Sequence, residues 1–121
     1  MEFSKEKAIF LQIADALVDA ILAGKWQEEQ RIPSTREMAV SMEVNPNTVV
    51  RAYAYLQENE VIYNRRGIGY FVAPSARDKI LAMKREHFIK TDLPRLVETM
   101  KLLGISFDEL KTLYESSHDK A

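Results

Sequence analysis

Ser34–Leu56 reads S-T-R-E-M-A-V-S-M-E-V-N-P-N-T-V-V-R-A-Y-A-Y-L, and two helix starts are written into it. The first is Ser34 with Glu37 three residues on, a capping box in which hydroxyl and carboxylate each accept from the other residue's backbone N–H. The second is Asn45-Pro46. Asn is a favoured N-cap, and Pro suits the first helical position, where its missing N–H had no partner anyway. Only Glu43 and Val44 remain for the turn between them. Two short helices joined this tightly predict a helix-turn-helix, whose second helix is shaped for a DNA major groove.

Spacing assigns the faces of that second helix. Val49, Ala52, Tyr53 and Leu56 recur at i, i+3, i+4 and i+7 and form the buried stripe. Asn47, Thr48 and Arg51 fall on the other side, near the N-terminal end. Asn can pair with adenine or bond a phosphate, Thr can meet a phosphate or a thymine methyl, and Arg suits guanine or phosphate. Read alone, the same residues could be an ordinary solvated face.

The flanking chain extends the pattern. Residues 8–23 read as a first helix, with Ile13, Leu17 and Ile21 joined by Ile9, Phe10, Ala14 and Leu22 on one apolar face. Gly24 stops it at the position after the cap. Lys25–Gln30 is a polar connection anchored by Trp26, and Pro33 stiffens the approach to the capping box. After Leu56 the helix is expected to end near Glu58–Asn59. Val61–Tyr63 and Tyr70–Val72 then flank Arg65-Arg66-Gly67-Ile68-Gly69, which predicts a β-hairpin with two arginines at its tip, a wing. Pro74 is expected to close the globule. Ser75 with Asp78 suggests a cap for a helix over about residues 76–90. Asp92-Leu93-Pro94 punctuates the chain before a helix carrying Leu93, Leu96, Val97, Met100 and Leu103, which Gly104 ends. Ser106 with Glu109 opens a last helix, and Ser116–Ala121 is expected to fray.

Composition sets the bounds. At 121 residues the chain holds one domain and an appendage. The fold class expected is α+β, mainly α: a winged helix-turn-helix over residues 1–75 and a helical region over 76–121. No cysteine is present, which excludes disulfides and thiolate metal sites. No apolar run approaches membrane-spanning length, and Met1–Lys7 lacks a signal-peptide core, so the cytoplasm is the expected compartment and no membrane partner is expected. The balance of 17 basic against 18 acidic residues gives no basic domain on which to rest a DNA-binding claim. The distribution says more. From Trp26 to Ala76 every cation is arginine (Arg31, Arg36, Arg51, Arg65 and Arg66), whose planar donor fork fits phosphate and guanine.

The ordered set of a first helix, P-S-x-R-E at Pro33–Glu37, N-T-V-x-R at Asn47–Arg51 and R-G-x-G-x-F-V at Arg66–Val72 resembles the winged-helix domain of the GntR family of bacterial transcription factors. The short tail and N-P-N-T-V resemble its YtrA-type branch. The resemblance implies a homodimeric regulator on an inverted-repeat operator, often a repressor of its own operon. It implies DNA contacts by Arg36 at the start of the second helix, by Asn47 and Thr48 on the recognition helix, and by Arg66 and Gly67 at the wing. Ser34, Thr35, Asn45, Arg51 and Arg65 complete the candidate DNA-contact set. Many relatives carry Ser-Arg at Asn45-Pro46 and an arginine at Val50, so those contacts are absent here.

The region 76–121 is too short for a large effector-binding domain. Its stripes could pack on the winged domain as plain core. Dimerisation is the favoured reading, with Ile80, Leu81, Phe88, Leu93, Leu96, Val97, Met100 and Leu103 as the candidate interface. Any small-molecule effector would lodge between domains or subunits, and the resemblance names none. An enzyme is not expected: His87 and His118 lack a paired carboxylate or metal-ligand spacing, Glu28-Glu29 reads as loop surface, and neither a catalytic residue, a metal nor a cofactor is assigned. The competing reading from another class is a winged-helix protein–protein adaptor without DNA binding.

Overall fold

Helix α1 spans Ile9–Leu22 in the computed structural model, which describes residues 7–117. It buries Ile13, Ala14, Leu17, Val18 and Ile21, while Ile9, assigned to the same face from sequence, stays half exposed. Gly24 takes a left-handed φ of 88° just past the helix end, as its place in the sequence requires. Helices α2 (Thr35–Met42) and α3 (Pro46–Glu58) follow. The turn between them works through Glu43, which holds a left-handed φ of 57° while the Val44 N–H reaches the Ala39 carbonyl. Neither a glycine nor an asparagine marks this position, so the left-handed residue is not legible from side-chain type.

Strands β1 (Ile62–Arg65) and β2 (Gly69–Val72) form an antiparallel pair in register Ile62↔Val72 to Arg65↔Gly69. The connection before α2 joins them on the far edge. Ile32 N–H donates to the Tyr70 carbonyl, Val72 N–H to Gln30, and Glu29 N–H to Val72, so residues 29–32 extend the wing sheet. Glu29 is therefore more than loop surface. Trp26 is half buried against the core, as an anchor for this segment should be.

Helix α4 runs Ala76–His87. Ser75 precedes it with a left-handed φ of 62°, unlike the extended backbone of an ordinary N-cap, which corrects the capping expectation there. The globule does not close at Pro74. Ala76 and Ile80 are fully buried in the core with Val49, Tyr53, Leu56, Val61 and Val72, and Met83 packs at its edge. The chain divides into two compact units between Met83 and Lys84, inside α4. Ile80 thus belongs to the core of the first unit and leaves the candidate dimer interface, because a side chain fully withdrawn from solvent cannot meet a second chain.

In the second unit the helical backbone does not break at Asp92-Leu93-Pro94. Residues Phe88–Asp92 form a π-helical turn, and Leu93 N–H donates to the Phe88 carbonyl five residues back. Pro94 explains the widening: its ring clashes with the carbonyl four residues earlier and its nitrogen has no proton to donate. Helix α5 covers Leu93–Leu103 and ends at Gly104, whose φ is 70°. Helix α6 covers Phe107–Ser117 and opens on the predicted capping box, with Glu109 N–H donating to Ser106 Oγ at 3.1 Å. Ser116 and Ser117 are helical; the rest of the tail expected to fray, His118 included, lies outside the described residues.

One side chain ties the winged unit together. Tyr53 on α3 is fully buried, its hydroxyl donates to the Pro33 carbonyl at 2.6 Å, and its ring meets Tyr70 of β2 edge-on at 4.9 Å. Burial above all, then the nearby Tyr70 and Glu37, pushes this hydroxyl above the usual tyrosine range, so it remains a donor at any working pH. Tyr53→Phe is expected to lower unfolding stability by about 1–2 kcal/mol, because the Pro33 carbonyl loses its partner inside the fold. Urea denaturation with an unchanged m-value checks this; an unshifted midpoint would show that the bond contributes nothing.

Candidate nucleic-acid interface

The surface of α3 carries two stripes of the same pattern. Val49, Ala52, Tyr53 and Leu56 are completely buried, as their spacing predicts. Asn47, Val50, Arg51 and Ala54 repeat that spacing two residues out of phase, about 200° around the helix, and all four are exposed. Thr48 lies at the flank, half buried. A helix anchored so firmly on one side presents the other as a rigid edge.

The helix starts are capped as the sequence indicates. Ser34 Oγ accepts from Glu37 N–H at 3.1 Å and Glu37 Oε1 accepts from Ser34 N–H at 3.0 Å. These hydrogen bonds hold the Glu37 carboxyl below the usual carboxylate range. Asn45 Oδ1 accepts from Asn47 N–H at 2.8 Å. The side-chain oxygens of Ser34 and Asn45 therefore each serve their own helix, while the hydroxyl proton and the amide NH2 remain as donors for a ligand. Thr35 and Arg36 open α2 directly after its cap.

The arginines separate into two groups. Arg51 lays its guanidinium over Phe10 of α1, 4.2 Å from the ring centroid, and Arg65 covers Phe71 at 5.0 Å. Arg31 lies against Gly69: a Cβ there would stand 2.9 Å from Arg31 Nε, and the φ of 145° is itself one that favours glycine. Among the described residues, Arg36 and Arg66 make no ion pair or side-chain hydrogen bond. Arg65 is the last residue of β1, so the hairpin tip is Arg66-Gly67-Ile68 rather than both arginines. Ile68 N–H closes this turn on the Arg65 carbonyl at 2.9 Å, and Gly67 supplies its left-handed φ of 78°.

Arg31 lies outside the candidate DNA-contact set drawn from sequence. Its signal is present in the arginine-only run, but its position beside β2 depends on the pairing of residues 29–32 with the wing. Among the described residues no group of three His, Asp or Glu is placed to hold a metal, and no helix is long and apolar enough to cross a membrane. His87 is exposed in the last turn of α4.

Comparison with known proteins points the same way. The profile of bacterial regulatory proteins of the gntR family matches residues 10–72. The HTH-type transcriptional regulator YhcF of Bacillus subtilis is 33% identical over 90% of this chain and 88% of its own. The HTH-type transcriptional repressor YtrA of the same organism is 29% identical over 84% of this chain and 78% of its own. A crystal structure of a GntR-family protein from Bacteroides thetaiotaomicron superposes with a TM-score of 0.80 at 47% identity, covering 93% of this chain and 98% of the other.

The two arginines with nothing to lean on are the ones expected to meet phosphate. Arg36→Ala and Arg66→Ala should each weaken duplex binding and flatten its salt dependence, by about 0.9 in log–log slope for each phosphate no longer neutralised. Titrations at several salt concentrations measure both; an unchanged slope and affinity would remove that residue from the interface.

Proposed function

The chain belongs to the gntR family of bacterial regulatory proteins, and on that premise we propose that it is a homodimeric repressor reading an inverted-repeat operator through α3 and the wing. A DNA-binding transcriptional regulator is what the family and the relatives' names share. The outward stripe of α3 carries the finer reading. Asn47 stands there one turn before Val50 and Arg51, on a helix whose opposite face is wholly buried. In this reading Asn47 and Thr48 address base edges, while Thr35, Arg36, Arg66 and the backbone at Gly67 fix the register on phosphate. Ser34 and Asn45 assist through the protons their caps leave free, and Arg51 and Arg65 add positive charge from stacked positions.

Two observations support the dimer. No side chain of α5 or α6 is buried, although α5 carries Leu93, Leu96, Val97, Met100 and Leu103, and α6 carries Phe107, Leu113 and Tyr114. The separate helix α6, at 11 residues, is also marginal in water without a surface to cover its apolar face. A second copy of the chain supplies that surface, to which Phe88 of the same unit also contributes, and turns the second DNA contact into an intramolecular event. Repression is supported by the likeness to YtrA, which is named a repressor. The division of labour is then residues up to Met83 for DNA and the remainder for assembly.

Asn47→Ala is expected to narrow the gap between a selected operator and random DNA by roughly 1–3 kcal/mol, the worth of a good base contact. Equal losses on both DNAs would confine Asn47 to the backbone. Truncation after Met83, which keeps Ala76 and Ile80 in the core, should leave a folded monomer whose operator affinity is lower by about 10²–10⁴. Sedimentation of both chains at matched concentration decides this, and either a monomeric full-length chain or a dimeric truncation contradicts it.

A further inference from the structure

We infer that Val50 reads the methyl group of a thymine in the major groove. This inference rests on the DNA-binding role proposed above. Of the four residues on the outer stripe of α3, Arg51 is stacked on Phe10 and Ala54 carries a single methyl. Asn47, exposed, and Val50, half exposed, are left as the side chains on this stripe that no aromatic ring or ion pair holds. Val50 is 49% exposed in the middle of a helix, where it adds nothing to the core and has lower helix propensity than alanine. Its branched side chain is confined to essentially one rotamer there, so two methyls are held at a fixed place on the outer face.

Among the groups that base pairs offer in the major groove, only the thymine C5-methyl is apolar. A neighbouring Asn is the residue type that pairs with adenine. The three-residue step from Asn47 to Val50 advances about 4.5 Å along the helix, little more than one base step of about 3.4 Å. An adenine contact and a thymine-methyl contact on adjacent base pairs therefore fit one turn of α3. Val50 offers no hydrogen bond, so it discriminates by apolar burial alone.

The test begins with selection of preferred duplexes from random DNA by the full-length chain. Each thymine of the half-site is then replaced by deoxyuridine, which lacks only the methyl, and affinity is measured by fluorescence anisotropy. At one thymine per half-site the native chain should lose about fourfold, the worth of one buried methyl. Val50→Ala should lose a similar factor on thymine DNA and become indifferent to uracil at that position, while Val50→Thr, which keeps one methyl, should retain part of the preference. Alanine at this half-exposed site favours the helix, so a folding defect would not account for the loss. Native protein that still prefers its operator but ignores every uracil overturns this inference and leaves the DNA-reading role standing. A uracil penalty that survives Val50→Ala also overturns it, since another residue then reads the methyl. Selection that yields no preferred duplex defeats the DNA-reading role itself.

Discussion

The hydrogen bond from Tyr53 to the Pro33 carbonyl is the constraint on which the winged unit depends. A buried phenol must find an acceptor or forfeit its hydration. Here the acceptor lies at the approach to α2, twenty residues away in sequence, while the same ring meets Tyr70 of β2 edge-on. One side chain of the recognition helix thereby fixes both the helix before it and the strand beyond it. It adds a directed bond to the shared core and to the pairing of residues 29–32 with β2, which together place α2, α3 and the wing. Groove reading needs such rigidity, because a displacement of about an ångström takes a donor out of hydrogen-bond range of a base.

Charge acts through placement rather than amount. The chain is close to neutral, so long-range attraction to DNA by net charge is weak. Stacking holds Arg51 and Arg65 on aromatic rings and contact with Gly69 steadies Arg31, which orders their guanidinium groups before any ligand arrives. Arg36 and Arg66 remain free at the start of α2 and at the wing tip. Stacked donors and unstacked donors are thus combined on one small domain, and two copies of it would compensate for the low charge of each.

Much of this was legible in the sequence because local signals and tertiary structure agree. The stripe Val49, Ala52, Tyr53, Leu56 could be read from spacing, and the caps at Ser34, Asn45 and Ser106 from residue type, since each depends on neighbours within a turn. The parts that were not legible depend on distant partners or on backbone that no side chain announces. Ile80 reads as a dimer-interface residue until α4 is seen to enter the first core. Residues 29–32 read as loop until the edge of β2 pairs with them. Glu43 and Ser75 adopt left-handed backbone that tertiary packing imposes against their own preference. Within the candidate site the residue types were identifiable, but which arginines lean on the protein and which stay free was set by Phe10, Phe71 and Gly69, contacts invisible to pattern.

The central claim is that two winged units address DNA together, each through α3 and its hairpin. Hydroxyl-radical footprinting of the full-length chain on a selected duplex tests it most directly. The account predicts two protected patches related by a two-fold axis, each with a major-groove centre and a flanking minor-groove protection where Arg66-Gly67 would lie. A single asymmetric patch, or protection without a groove pattern, would contradict it.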